Sequence, residues 1–161
     1  MPATVIPQSQ RFFQPGVVGI LWLPAIVATN GIPTTAEVTA GTDLTREVDD
    51  WSGWTVSTAF LETKDASTVL RPQLAGAVTF EGSSLTFNGS KNGTDARTVF
   101  TRGVSGFIII GDAGVATGKK ADVYPVTVGA VAKLRNLDST NFKIRVDFGI
   151  TNVPFEDITM P

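Results

Sequence analysis

Ten residues, Phe142-Lys143-Ile144-Arg145-Val146-Asp147-Phe148-Gly149-Ile150-Thr151, alternate between two kinds of side chain. On an extended chain, Phe142, Ile144, Val146, Phe148 and Ile150 fall on one side, with Lys143, Arg145 and Asp147 on the other. This is the period of a strand with one face buried and one wet. Trp54, Val56, Thr58 and Phe60 repeat the pattern with Ser57 opposite, and Val78, Phe80, Leu85 and Phe87 read as a strand pair or a bent strand broken around Gly82-Ser83-Ser84. Val17-Val18-Gly19-Ile20-Leu21-Trp22-Leu23 and Phe107-Ile108-Ile109-Ile110 are apolar on both faces. Such runs predict strands covered twice, by the core and by a second sheet or a neighbouring subunit.

Residues 122–135 form a further strand candidate, in which Pro125 is expected at an edge or a bulge. The only helix signal is short. Asn92-Gly93 is a turn, and Thr94 or Asp95 caps a helix through Ala96-Arg97-Thr98-Val99-Phe100 that ends by Gly103. The expected fold is therefore mainly β, with two packed antiparallel sheets in a sandwich or barrel-like arrangement and one short α-helix. At 161 residues the chain reads as one domain, 1–161. Three parts of it resist assignment to the core: an N-terminal arm (1–15), a long loop (29–50) and a C-terminal tail (154–161).

Composition narrows the function. The chain has neither cysteine nor histidine. Disulfides, thiolate metal sites and a Ser-His-Asp triad are excluded, and the commonest general base is missing. Net charge is −2, which gives no global basic balance for holding nucleic acid. Charged residues are 17% of the chain, below the roughly 25% usual for soluble domains. The surplus of apolar surface points to burial between subunits. No secretory signal is visible at Met1-Pro2-Ala3-Thr4, and the apolar stretch 17–28 is too short for a membrane span and is broken by Pro24.

Possible sites for chemistry are few. Residues 111–120 lack the glycine spacing and the Ser/Thr of a phosphate loop, since Lys120 stands where the hydroxyl is needed. Asp49 and Asp50 are adjacent and point to opposite sides of an extended chain, so they do not converge on one bond. Asn88-Gly89-Ser90 and Asn92-Gly93-Thr94 read as turns. No spacing resembles a calcium loop, and no metal or cofactor is assigned. Trp22, Trp51, Trp54 and Tyr124 are candidates for a carbohydrate platform, against a core or interface role.

A series of stretches, taken in order, carries a resemblance. It runs through Pro33-Thr34-Thr35-Ala36-Glu37, Ala40-Gly41-Thr42-Asp43-Leu44-Thr45, Ser52-Gly53-Trp54-Thr55 and Ser84-Leu85-Thr86-Phe87. It continues through Asp95-Ala96-Arg97-Thr98-Val99, Arg102-Gly103-Val104-Ser105-Gly106-Phe107-Ile108, Asp122-Val123-Tyr124-Pro125-Val126 and the closing Ile158-Thr159-Met160-Pro161. From about Pro33 onward the chain resembles the major tail proteins, or tail tube proteins, of long-tailed phages of actinobacteria.

The resemblance implies a non-enzymatic virion subunit, made in the host cytoplasm, that assembles with itself into stacked and usually hexameric rings. Genome DNA passes through the tube without specific binding. The other partners it implies are the tape measure, tail tip and terminator proteins, with no membrane. On this reading Asp43, Leu44, Thr45, Trp51 and Trp54 are the expected ring-stacking loop. Phe142, Lys143, Ile144, Arg145, Val146, Asp147 and Phe148 are the expected inner-sheet strand. Another phage ring or decoration protein, or a carbohydrate-binding β-sandwich, is the alternative.

Overall fold

The computed structural model describes residues 6–67, 69–137 and 141–161. Its elements in chain order are β1 (Gly19–Leu23), α1 (Thr35–Ala40), β2 (Thr42–Asp43), β3 (Val48–Ser52), β4 (Val56–Glu62), β5 (Gln73–Phe80), β6 (Ser83–Asn88), α2 (Ala96–Val99), β7 (Ser105–Gly111), β8 (Lys120–Leu134), β9 (Lys143–Ile150) and β10 (Phe155–Thr159). The protein is mainly β, with two antiparallel sheets. The larger runs β2-β1-β7-β8-β9-β6-β3, with β10 on β8, and the smaller is the β4–β5 hairpin alone.

The two edge strands of the large sheet are consecutive in sequence. Residues 44–47 carry the chain from β2 at one edge to β3 at the other, so the sheet must roll towards itself. The corner is tied at both sides. The Leu44 amide donates to the Ile20 carbonyl (2.9 Å), the Ile20 amide donates to Thr45 Oγ1 (3.0 Å), and the Asn88 amide donates to the Glu47 carbonyl (2.9 Å). A bulge in β8 between Val128 and Val131 supplies further bend. The roll stops short of a closed barrel, because the edge strands β2 and β3 do not pair.

Inside the roll lies the main core, with Ile20, Trp22, Leu85, Phe87, Ile108, Val126, Ile144, Val146 and Phe148 all buried. The alternation in β9 is thus realised: Ile144, Val146 and Phe148 face in, and Lys143, Arg145 and Asp147 face out. α2 brings Phe100 into the roll, its ring 5.1 Å from Trp22, 5.3 Å from Phe148 and 5.5 Å from Phe87. A second cluster lies on the other face of the sheet, formed by Leu21, Leu23, Ile109, Ala121 and Val123 with Ile158 and Met160. β1 and β7 are therefore apolar on both faces because the chain's own C-terminal segment, with Val38 of α1, covers the second face.

Three features differ from the sequence reading. There are two short helices, since α1 forms within 29–50 on a capping box in which Thr34 and Glu37 satisfy each other's amides. Residues 155–159 are a strand paired with β8 rather than a free tail. Pro125 sits inside β8, where the partner changes from β10 (Phe155 opposite Val123) to β9 (Ile150 opposite Val126). A nitrogen without hydrogen is tolerated at that junction, and the Pro125 carbonyl accepts from the Thr151 amide (2.9 Å).

Asp95, one of the two residues the sequence offered as a cap, is the N-cap of α2. Its buried carboxylate accepts from the Ser90 amide (2.9 Å), the Arg97 amide (3.0 Å) and the Arg97 guanidinium (2.6 and 2.8 Å). The Arg97 side chain first, then the two amides, hold this carboxyl well below the usual carboxylate range. A depressed carboxylate stabilises the fold above its unfolded pKa of about 3.9 and ceases to do so as pH falls further. Asp95→Asn is expected to lower stability by about 1–3 kcal/mol at pH 7. Urea titrations should show the gap to the parent narrowing below about pH 4, whereas a gap independent of pH would contradict the assignment.

Candidate assembly interface

The residues singled out near 43–54 divide by burial. Leu44 and Trp54 are inside the main core, at 4% and 8% exposure. Asp43 is exposed on β2, its carboxylate accepting from the Thr45 amide (2.9 Å). Thr45 is half-buried and tied to Ile20. Trp51 is half-buried on β3, with its amide donating to the Asp50 carboxylate (2.9 Å). Asp43, Thr45 and Trp51 thus keep exposed atoms, while Leu44 and Trp54 turn inward.

Trp54 marks the point where the second sheet leaves the first. Its φ of 64° follows Gly53 at 80°, and such a conformation is rare for an aromatic residue. Surrounding bonds hold it there. The Trp54 amide donates to Ser83 Oγ (3.1 Å), the indole Nε1 to the Ser84 carbonyl (3.1 Å), and the Tyr124 hydroxyl to the Trp54 carbonyl (3.1 Å). Burial, then the carboxylates of Asp122, Glu156 and Asp112, push the Tyr124 phenol up to about 12, so it stays a donor throughout the physiological range. Of the four aromatic residues considered for a sugar platform, Trp22, Trp54 and Tyr124 are buried and Trp51 is half-buried.

Beyond Trp54 the chain enters β4 and β5, in which most residues are exposed. The hairpin is nevertheless apolar on both faces. Leu61 and Leu74 stand opposite each other on one face, at 61% and 59% exposure. Val56, Phe60 and Val78 lie on the other, with Phe60 63% exposed. A lone two-stranded hairpin is at best marginally stable in water. Fully burying each such side chain would contribute about 1.5–3 kcal/mol. The sequence reading found these strands as half-buried ones and read Val78, Phe80, Leu85 and Phe87 as a strand pair or a bent strand; they fall on two strands, β5 and β6, in different sheets. Period-two alternation reports that one face is apolar, not what covers it.

The expected inner-sheet strand is β9 with the residue before it. Phe142 is half-buried, with the Arg97 guanidinium 5.6 Å from its ring centre. The polar face carries its charges in pairs, Lys143 Nζ to Asp49 Oδ2 (2.5 Å) and Arg145 Nε to Asp147 Oδ1 (3.0 Å).

The family model for "Phage tail tube protein" matches residues 6–161. The chain belongs to that family. It is a structural subunit of a phage tail tube and hence a virion component. The match is to the family and carries no particular host. Among solved structures, a chain of the anti-feeding prophage baseplate, determined by cryo-electron microscopy with 6-fold symmetrisation, is similar at a TM-score of 0.49 and 12% identity, over 93% of this chain and 95% of that one. No curated protein sequence matches the chain.

The burial of Trp54 in the tube subunit generates a test. Trp54→Ala is expected to destabilise the monomer by about 3–5 kcal/mol. Thermal unfolding at concentrations too low for assembly would detect this, and an unchanged melting temperature would show that the side chain acts between subunits instead.

Proposed function

We propose that the subunit closes into rings, with six copies as the family resemblance implies, and that the rings stack into a conduit for the genome. The observation that carries this reading is the exposed β4–β5 hairpin. Its apolar residues find no full cover among the described residues of their own subunit, and a neighbouring copy supplies cover in the most economical way. Asp43, Thr45 and Trp51, at the corner and β3, are the further stacking contacts on this reading. Leu44 and Trp54 support the same region from within.

The polar face of β9 is assigned to the lumen. There Asp49 and Asp147 compensate Lys143 and Arg145, so the wall offers passing phosphates no uncompensated cation from this strand. No catalytic step is assigned to the chain. Tape measure, tail tip and terminator proteins are its partners at the core and ends of the tube, and synthesis takes place in the host cytoplasm.

Negative-stain electron microscopy of the concentrated protein should show rings or tubes. The double variant Phe60→Asp, Leu74→Asp should remain folded by circular dichroism, because both positions are exposed, yet give no tubes. Tubes of normal length from that variant would remove the hairpin from the interface.

A further inference from the structure

The chain carries three Asn-Gly pairs, Asn30-Gly31, Asn88-Gly89 and Asn92-Gly93. Asparagine is thermolabile, and a following glycine makes it more so. The next backbone nitrogen attacks the side-chain carbonyl carbon, and glycine gives that nitrogen no Cβ obstruction and the widest choice of backbone angles. In a folded protein the attack needs two freedoms. The asparagine side chain must turn onto the following amide, and the glycine must have room to tilt.

The fold restricts both freedoms in two of the pairs. Asn30 Oδ1 accepts from the Ile32 amide (3.2 Å), and Gly31 is buried so close to Phe155 that a Cβ there would enter the ring. Asn88 ends β6 opposite Lys143 of β9, and its Oδ1 accepts from Asn141 Nδ2. The Gly89 amide donates to the Phe142 carbonyl (2.9 Å), and a Cβ on Gly89 would enter the Phe142 ring. Asn92-Gly93 keeps both freedoms. Asn92 is exposed, and its side chain makes no hydrogen bond among the described residues. Gly93 stands at φ 78°, and the nearest atom a Cβ there would meet is Arg97 Nη2, at 3.9 Å.

We propose that Asn92 is the principal deamidation site of this protein, and that the fold rather than the sequence selects it. The Gly93 nitrogen bonds to Asn92 Cγ, and the side-chain nitrogen leaves as ammonia with the proton that Gly93 gives up. Water then opens the resulting succinimide at either carbonyl, yielding aspartate or isoaspartate. Either product makes the net charge one unit more negative than −2. The isoaspartyl product also adds a methylene to the main chain between Ser90 and Asp95, within the loop that brings the Ser90 amide to the Asp95 carboxylate (2.9 Å). The cap of α2 thus lies directly in the path of the change. The inference does not depend on how subunits assemble.

Trypsin places the three pairs in separate peptides, 12–46, 65–91 and 92–97, since the Arg71-Pro72 bond resists cleavage. The native protein is incubated in mildly alkaline buffer below its unfolding temperature, and a second sample is incubated in urea. Mass spectrometry of the peptides follows amide turning to carboxylate at each site, with an unincubated sample correcting for digestion. In the native protein, conversion at Asn92 is expected to run several-fold faster than at Asn30 or Asn88 and to give two chromatographic products. In urea the three rates should draw together. Equal rates in the native protein, or earlier loss at Asn30 or Asn88, would overturn the proposal. So would a lead for Asn92 that urea leaves unchanged, because the fold would then have no part in it.

Discussion

Ile20 and the corner at 44–47 determine the shape of everything else. Ile20 accepts from the Leu44 amide and donates to the Thr45 hydroxyl, pinning the start of the corner to β1, while Glu47 accepts from Asn88 and pins its end to β6. Four residues cannot span the width of a flat seven-strand path, so these bonds require the sheet to curl. Leu44, driven into the core by the same geometry, closes the inside of the bend at 4% exposure. Once the sheet curls, the inward alternation of β9, β6 and β7 converges on a single interior that Phe100 fills.

The curl also sets what is left over. Strands within the roll satisfy both their edges, and the C-terminal β10 covers the back of β1, β7 and β8. The hairpin and the outer edge of β3 are excluded from this arrangement. Trp54 accounts for the first exclusion, since a left-handed residue anchored by three hydrogen bonds turns the chain out of the large sheet. The crossing at 44–47 accounts for the second. Both surfaces are apolar or unpaired in the isolated subunit, which fits a family whose members work by assembly.

Much of this was legible in the sequence where local pattern and burial agree. Phe142–Thr151 alternates because one face meets the core, and Asp95 caps a helix because its carboxylate reaches the Arg97 amide. Legibility failed where a distant partner decides. Val56, Phe60 and Val78 alternate like core strands although their own subunit does not cover them. Ile158 and Met160 looked like a free tail because the sheet face they cover is more than 30 residues away, on β8. α1 was hidden by its length, for six residues with a capping box give almost no periodic signal. The corner residues were found through family resemblance, and only the fold separates Asp43, Thr45 and Trp51, which retain exposed atoms, from Leu44 and Trp54, which do not.

The central claim is that surfaces the fold leaves uncovered are covered by further copies of the chain. Amide hydrogen exchange, compared between the dilute subunit and purified tubes, tests it most directly. The account predicts fast exchange along β4 and β5 in the free subunit and strong protection in the tube, while the centre of β8 and β9 stays protected in both. Equally fast exchange of the hairpin in both states would contradict it.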